Sequence, residues 1–210
     1  MPAADLRALV PEPLAIDEFG GSAWVGVIPF WMSGVTLRRC PAVPGLSRFP
    51  ELNVRTYVRL ADRPGVWFFS LDAANQLAVW VARWLFQLPY VYARMRVRRT
   101  GDRVDYDSRR RDGTAFAVDY RALGDPARAM PGTVEHWLTE RYCLYARSGA
   151  GALHRAEVHH APWSLQPAAA HVRRNDLLGV LGIAVTGPAP QQHYARRLDV
   201  VVWSPERVEA

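Results

Sequence analysis

Hydrophobic and polar residues alternate along several short segments, the pattern of β-strands with one buried face. Residues 51–60 and 66–72 are joined by the turn sequence ADRPG and predict a pair of strands. A third strand, apolar and buried, is predicted over residues 22–31, ahead of a Pro- and Gly-rich loop over 40–50. Further strands are predicted over residues 114–123, 141–147, 153–160 and 194–203, with 141–147 and 153–160 paired around the sequence SGAG.

Residues 90–111 predict a β-hairpin with Gly101 and Asp102 as its two loop residues. In this register Arg98 faces Asp105 and Arg96 faces Asp107, which are opposite-charge cross-strand pairs. The arginine-rich hairpin is therefore interpreted as a partly neutralised, solvated face. A nucleic-acid groove is the weaker alternative.

Helical periodicity is clearest after Asp72, which is the expected N-cap, and Pro89 ends the segment. The apolar stripe is predicted to be a packing face rather than a cofactor site; it contains Leu77, Trp80, Val81, Trp84 and Leu88. Short helices are expected at residues 5–10, at 175–181 and from Pro131, the last with Val134, Trp137 and Leu138 inward. Because strands dominate, the predicted class is α+β, with a mainly antiparallel sheet curled toward a barrel and a few flanking helices.

Strand parity separates two sets of side chains in the segment ELNVRTYV. One face carries Leu52, Val54, Thr56 and Val58, and the other carries Glu51, Asn53, Arg55 and Tyr57. The polar set is either an exposed sheet face or the wall of a polar cavity, with the apolar set packed on a helix. The next strand, VWFFSLD, is apolar on both faces, which favours an interior position and the cavity interpretation.

Parity also separates two adjacent arginines of the hairpin. Arg110 continues an inward row that contains Val104, Tyr106 and Ser108, whereas Arg109 lies with the outward aspartates. A buried arginine requires a carboxylate partner, and Glu51 and Glu140 are the candidates.

Length and composition exclude several classes of protein. The chain has 210 residues with 50% hydrophobic and 22% charged residues, which is ordinary globular composition. No apolar run approaches the roughly 18 residues of a membrane span, and the N-terminus lacks the features of a secretory signal. Two cysteines cannot build a disulfide framework, so a cytoplasmic location is expected.

All 26 basic residues are arginine, and the chain contains no lysine. Schiff-base chemistry on a lysine and P-loop nucleotide hydrolysis are therefore excluded. The net charge of +6 permits nucleic-acid binding without requiring it.

Metal ligation and nucleophilic catalysis find little support in the sequence. His159 and His160 point to opposite faces of a strand and cannot chelate together. Cys143 lies in an apolar strand and is expected to be inert. Cys40 lies in a loop beside Arg38 and Arg39, whose charges could lower its pKa, but reactivity is not expected.

Six motifs together resemble the uncharacterised YqjF-like family, over roughly residues 5–203. They are ELNVRTYV at 51–58, FFSLD at 68–72, LPY at 88–90, YxSxR at 106–110, LTERY at 138–142 and HxPW at 160–163. That family is similar in fold to acetoacetate decarboxylase, so the resemblance implies one barrel-like domain over residues 1–210 with a central cavity. Family members usually carry an additional N-terminal segment, so the resemblance implies either that this chain lacks a first strand or that its start codon is placed too far downstream. The decarboxylase works through a lysine imine, which this chain cannot form.

The function expected from these observations is binding of a small, anionic carboxylate or carbonyl compound in a polar cavity. Lysine-independent lyase or isomerase chemistry is one form of it, with Glu51 as the catalytic group. The ligand-binding candidates are Asn53, Arg55, Tyr57, Tyr106, Ser108, Arg110, Glu140 and His160. No cofactor, metal, nucleic acid or membrane is expected as a partner. The alternative is a non-catalytic structural or partner-binding domain with a solvated polar strand face.

Overall fold

The computed structural model describes residues 1–34, 48–185 and 187–208. Its first strands are β1 Ala15–Ile16, β2 Glu18–Phe19, β3 Ser22–Ala23, β4 Val25–Ser33, β5 Arg48–Leu60, β6 Arg63–Ala73, β7 Tyr90–Thr100 and β8 Arg103–Arg110. They are followed by β9 Ala115–Ala122, β10 Ala127–Arg128, β11 Cys143–Arg147, β12 Leu153–His160, β13 Ser164–Asn175, β14 His193–Tyr194, β15 Val200–Val202 and β16 Glu206–Arg207. The helices are a 3-10 helix Ala3–Leu9, α1 Gln76–Phe86, α2 Val134–Thr139 and α3 Asp176–Val180.

Strand β6 is the branch point of the main sheet. β5 pairs antiparallel with β4 along one edge and with β6 along the other. The free edge of β6 is shared by two parallel neighbours, β11 at Val66–Trp67 and β7 at Leu71–Ala73. From β7 the sheet continues through β8, β9 and β13, and from β11 it continues through β12.

The sheet is mixed and open, which corrects the expectation of a mainly antiparallel sheet curled toward a barrel. Hairpin neighbours pair antiparallel, but both junctions at β6 are parallel. Parallel strands require a crossover connection, and α1 supplies it between β6 and β7. Among the described strands the paired path runs from β10 to β15 without closing.

Most predicted strands are present, and one long strand was missed. The hairpin has the predicted register, with Arg98 opposite Asp105 and Arg96 opposite Asp107, and β11 and β12 pair as predicted. The missed strand is β13, which contains Pro167 and three consecutive alanines, a composition poor in β-formers. The predicted C-terminal strand is divided into β14 and β15. β5 begins at Arg48, inside the loop predicted over residues 40–50, and the rest of that prediction, including Cys40, lies outside the described residues.

Both faces of the β5–β6 pair are covered by core. On one face Leu52 and Val54 pack with Tyr106, Phe116 and other residues of β8 and β9. The expected helix is only a minor part of this cover, through Leu177 of α3. On the other face Tyr57 and Leu71 pack with residues of β11, β12 and α2, namely Leu144, Ala146, Ala156, Trp137 and Leu138. A polar side chain in the buried part of β5, such as Glu51 or Asn53, is therefore enclosed by protein, whereas Arg48 and Arg59 near its two ends are exposed.

Three of the five residues of the stripe that was expected to pack are exposed on α1, whereas Leu88, just after the helix, is buried in the core. The N-cap of α1 is Asn75, whose side chain accepts hydrogen bonds from the backbone N–H groups of Leu77 and Ala78, so the expectation of an Asp72 cap is wrong. Leu77, Trp80 and Trp84 are 52%, 64% and 70% exposed, and the buried residue of this helix is Val79. The periodicity correctly marked an apolar face, but this face has no cover within the described residues.

Gly65 allows β11 to approach β6 closely. A Cβ atom there would lie 2.7 Å from Sγ of Cys143 and from the Tyr145 ring, and 2.8 Å from the Cys143 carbonyl oxygen.

We expect Gly65→Ala to lower the free energy of unfolding by about 1–3 kcal/mol or more, because the β11 backbone cannot move aside without disturbing its pairing with β6. Gly149→Ala, where a Cβ atom meets nothing within 4 Å, is the control. Equal urea midpoints for the two variants would contradict this view of the junction.

Candidate functional site

Glu51 is a buried carboxyl group at the centre of β5. It is 2% exposed, and its carboxylate oxygens accept hydrogen bonds from the Tyr90 hydroxyl, each at 3.3 Å. Desolvation raises the pKa of Glu51 from 4.5 to about 8, opposed by the Tyr90 hydrogen bond and reinforced by the charge of Asp72. Burial also raises the pKa of the Tyr90 hydroxyl, so this partner stays neutral. At neutral pH Glu51 therefore holds a proton that it can donate.

Two polar side chains on the same face as Glu51 each contain a buried atom without a hydrogen-bond partner among the described residues. Asn53 is 7% exposed, and its Oδ1 atom is buried without a hydrogen bond. Arg55 is half-buried; its Nε atom is also buried and unbonded, and its side chain has no ion pair with any residue that the structure describes. Glu51, Asn53, Arg55 and Tyr57, referred to below as the Glu51 face, point to one side of β5. Unpaired buried polar atoms are uncommon, and several together indicate a place where a ligand or ordered water binds.

The neighbouring β4 leaves room for Arg55. Gly26 lies directly opposite Arg55 in the β4–β5 ladder. A Cβ atom at Gly26 would lie 3.0 Å from Cδ1 of Ile28, 3.4 Å from the Tyr57 hydroxyl and 3.6 Å from Cγ of Arg55. A side chain at this position would therefore crowd the Glu51 face.

A second buried arginine beside the Glu51 face is neutralised. Nη1 of Arg141 lies 2.6 Å from Oδ2 of Asp17, and its guanidinium stacks over the rings of Trp137 and Tyr57 at 4.3 and 5.2 Å. The guanidinium of Arg55 packs against the same Tyr57 ring at 5.5 Å. The sequence offered no local signal for the Arg141–Asp17 pair, because its members are 124 positions apart. Asp17 also pairs with Arg59 at 3.1 Å, whereas Arg55 has no carboxylate partner among the residues that the structure describes.

The inward row of β8 faces the opposite side of the sheet. Arg110 is 10% exposed in its side chain and forms a forked ion pair with Asp72 at 2.6 and 2.9 Å; it also donates to the Ser70 hydroxyl at 2.8 Å. The predicted inward position of Arg110 is confirmed, but its partner is Asp72 rather than Glu51 or Glu140. The Tyr106 hydroxyl donates a hydrogen bond to the backbone carbonyl oxygen of Glu51 at 2.8 Å.

The nominated residues therefore divide between the two faces of the sheet. Ser108 lies in the same row as Arg110, and its buried hydroxyl has no hydrogen-bond partner. Tyr106, Ser108 and Arg110 pack on the Leu52–Val54 side, across the sheet from the carboxyl group of Glu51.

Glu140 and His160 have other neighbours. The Glu140 carboxylate accepts a hydrogen bond from the Tyr142 hydroxyl. The His160 ring stacks on the Tyr142 ring, with 4.7 Å between the ring centroids. The His160 nitrogens lie 2.9 and 3.2 Å from the backbone oxygens of Ala161 and Arg141. Their described contacts are structural and do not reach the Glu51 carboxyl.

The enclosed cavity expected at the Glu51 face stays a prediction. Burial of Glu51, Asn53 and Tyr57 is observed, which contradicts an open sheet surface. Two cavities stand out, of about 230 and 310 Å³, and neither is lined by these residues.

Two further features bear on the chemistry of the chain. Over residues 1–34, 48–185 and 187–208 there is no group of three or more His, Cys, Asp or Glu residues that could hold a metal ion, and no helix is both long and apolar enough to cross a membrane. The Cys143 thiol is buried and donates to the Pro64 carbonyl oxygen at 3.4 Å, and burial raises its pKa, as expected for an inert cysteine.

Sequence comparison finds one family and one curated relative. The sequence model of the DUF2071 family, described as "Uncharacterized conserved protein", matches residues 1–199. The uncharacterised protein YqjF of Bacillus subtilis (strain 168) is 42% identical over 200 residues, covering 94% of this chain and 82% of the relative. These matches confirm the resemblance carried by the six sequence motifs.

Structural comparison shows an acetoacetate decarboxylase-like fold. Acetoacetate decarboxylase from Legionella pneumophila superimposes with a TM-score of 0.66 at 11% identity, over 99% of this chain and 80% of that chain. Another acetoacetate decarboxylase structure gives 0.64 at 16% identity, over 98% and 82%. The enduracididine biosynthesis enzyme MppR complexed with pyruvate gives 0.60 at 12% identity, over 99% and 81%. At such low identity the likeness establishes the fold alone.

The Arg110–Asp72 ion pair yields a stability prediction. Arg110→Ala leaves the Asp72 carboxylate buried without its cation, so we expect a loss of about 3–5 kcal/mol in the free energy of unfolding. Arg109→Ala on the exposed face should change it by less than about 1 kcal/mol. Chemical denaturation of both variants measures the difference. Equal, small effects would contradict an internal ion pair.

The raised pKa of Glu51 predicts a pH-dependent stability. Between about pH 4.5 and 8 the unfolded chain releases the Glu51 proton while the folded chain retains it, so the stability of the protein falls as pH rises through this window. Each pKa unit corresponds to about 1.4 kcal/mol. Glu51→Gln removes this dependence, so we expect the variant to gain stability relative to wild type progressively toward pH 8. A difference that is constant with pH in denaturation curves would contradict the raised pKa.

Proposed function

The chain belongs to the DUF2071 family of uncharacterised conserved proteins, and we propose that it binds a small carboxylate or carbonyl compound at the Glu51 face. The observation that carries this proposal is the uncompensated Arg55 guanidinium, with unbonded buried atoms on Arg55 and Asn53. An arginine fork matches a carboxylate with two parallel hydrogen bonds. A bound carboxylate would supply the missing charge at Arg55, and a second oxygen of the same ligand would extend along the Glu51 face toward the Glu51 carboxyl group.

Glu51 contributes a proton donor to this arrangement. A protonated carboxylic acid donates a hydrogen bond to a carbonyl or carboxylate oxygen, whereas an ionised one would repel it. Donation to a ligand carbonyl withdraws electron density from the adjacent carbon. This polarisation suits lyase or isomerase chemistry at that carbon and requires no imine, in keeping with the absence of lysine.

The role of Arg55 distinguishes reactions that release the bound carboxylate from reactions that retain it. A carboxylate held by an arginine is stabilised as an anion, so its loss as carbon dioxide becomes harder. We therefore favour reactions that retain the bound carboxylate, with Glu51 supplying the proton to a second oxygen of the same ligand. The pyruvate complex of the fold neighbour MppR is consistent with a carbonyl acid of this size.

Pyruvate and acetoacetate are suitable first probes for this proposal. We expect either anion to raise the melting temperature of the protein, and pyruvamide, which lacks the charge, to raise it less. Arg55→Gln should weaken the dissociation constant by about tenfold or more, because a charge-assisted contact is worth about 1.4 kcal/mol or more. Calorimetric titration measures this change.

Arg48→Gln is the matched control, since Arg48 is an exposed arginine of the same strand. Glu51→Gln keeps a hydrogen-bond donor but loses the transferable proton, so binding should be retained while any turnover is abolished. Absence of binding by both probes, or equal losses in Arg55→Gln and Arg48→Gln, would favour the non-catalytic alternative.

A further inference from the structure

The outer face of the β7–β8–β9–β13 sheet has two ends with different charge balance. Toward the Gly101 turn the charges are paired. The Asp119 carboxylate forms an ion pair with Arg103 at 2.9 Å, and the Arg173 guanidinium lies near the carboxylates of Asp105, Asp107 and Asp119. This end agrees with the expected neutralised hairpin face. The other end, around Arg109, does not.

At that other end two arginines face each other directly. Arg94 and Arg109 are opposite partners in the β7–β8 ladder, where Cβ atoms lie about 4.5–5.5 Å apart. Neither has a hydrogen bond or ion pair with any part of the chain that the structure describes, and the same holds for Arg96. Like charges placed directly across a ladder destabilise the sheet, and a bound anion would relieve this repulsion. Asp176 is the carboxylate whose charge interacts with Arg109 at this end.

The sequence of β9 creates a depression between these arginines. Ala115 lies opposite Arg109, and Ala117 lies between Asp107 of β8 and Arg174 of β13. Two methyl groups cannot fill the space between long neighbouring side chains. The result is an open cavity of about 230 Å³ with alanines in its floor and arginines around it.

The charge of this cavity matches a dianion. Its lining contains four arginines, Arg94, Arg96, Arg109 and Arg174. Two carboxylates lie beside them: Asp107 in the lining, which is also 3.4 Å from Arg173, and Asp176, which pairs with Arg174 at 2.7 Å. Even when both carboxylates are counted against the four arginines, at least two positive charges are left in excess, as a phosphate monoester requires, and forked guanidinium groups suit phosphate oxygens.

We propose that this cavity, the arginine cavity of Arg94, Arg96, Arg109 and Arg174, binds the phosphoryl group of a small phosphorylated compound. The cavity is too small for a whole nucleotide, so the rest of the ligand projects into solvent. The site is on the outer face of the hairpin sheet and is independent of the Glu51 face, whose residues it does not share.

Pyrophosphate and inorganic phosphate serve as probes in calorimetric titrations at low ionic strength. We expect saturable binding with one site per chain, weakened about tenfold or more by Arg109→Gln and by Arg94→Gln. Without phosphate, each of these variants should melt at the same temperature as wild type or higher, because the facing charges are relieved. Arg98→Gln removes the same charge from the same outer row of β7, but opposite Asp105, and should change binding less than about twofold.

Two further arms separate the alternatives. Arg55→Gln should leave pyrophosphate binding intact, and a loss there would show that the probe occupies the Glu51 face instead. A 12-mer single-stranded oligonucleotide tests for a polyanion surface. Tight oligonucleotide binding that depends equally on Arg94, Arg98 and Arg109 would overturn the proposal, as would the absence of saturable pyrophosphate binding.

Discussion

Burial of the β5–β6 pair on both faces is the constraint on which the rest of this structure depends. Because core packs on each side, the polar side chains buried along the middle of these two strands must be satisfied inside the protein or left unpaired there. The two faces meet this requirement differently. On one face Asp72 and Arg110 form a forked ion pair, and on the other Glu51 keeps its proton.

The difference between the faces is the reason for proposing a binding site at the Glu51 face. An ion pair with both partners inside is complete and holds the hairpin sheet against β6. The Glu51 face is incomplete within the described residues, which supply neither a carboxylate to Arg55 nor a hydrogen-bond donor to Oδ1 of Asn53. A fold shared with acetoacetate decarboxylase thus carries a polar face whose acid is a glutamic acid and whose cation is an arginine, with no lysine anywhere in the chain.

Local periodicity predicted which way side chains point but not what they meet. The parity of residues 51–58 and 104–110 is a two-residue property of each strand, so the inward position of Arg110 was predictable. Its partner was not, because Asp72 precedes a helix and matches an N-cap equally well. The exposed stripe of α1 shows the same limit, since an amphipathic pattern marks an apolar face without indicating its cover. Strand β13 and the parallel pairings arise from contacts distant in sequence and left no local signal.

A direct measurement of the Glu51 pKa tests the account most sharply. Carbon-13 NMR of the side-chain carboxyl groups, with Glu51→Gln to assign the resonance, follows this single group through a pH titration. We expect a midpoint near 8 in the free protein, because desolvation of the buried carboxyl group outweighs the opposing hydrogen bond from Tyr90. A midpoint near the ordinary value of 4.5 would show an ionised, hydrated glutamate and would contradict both the enclosed polar face and its role as a proton donor.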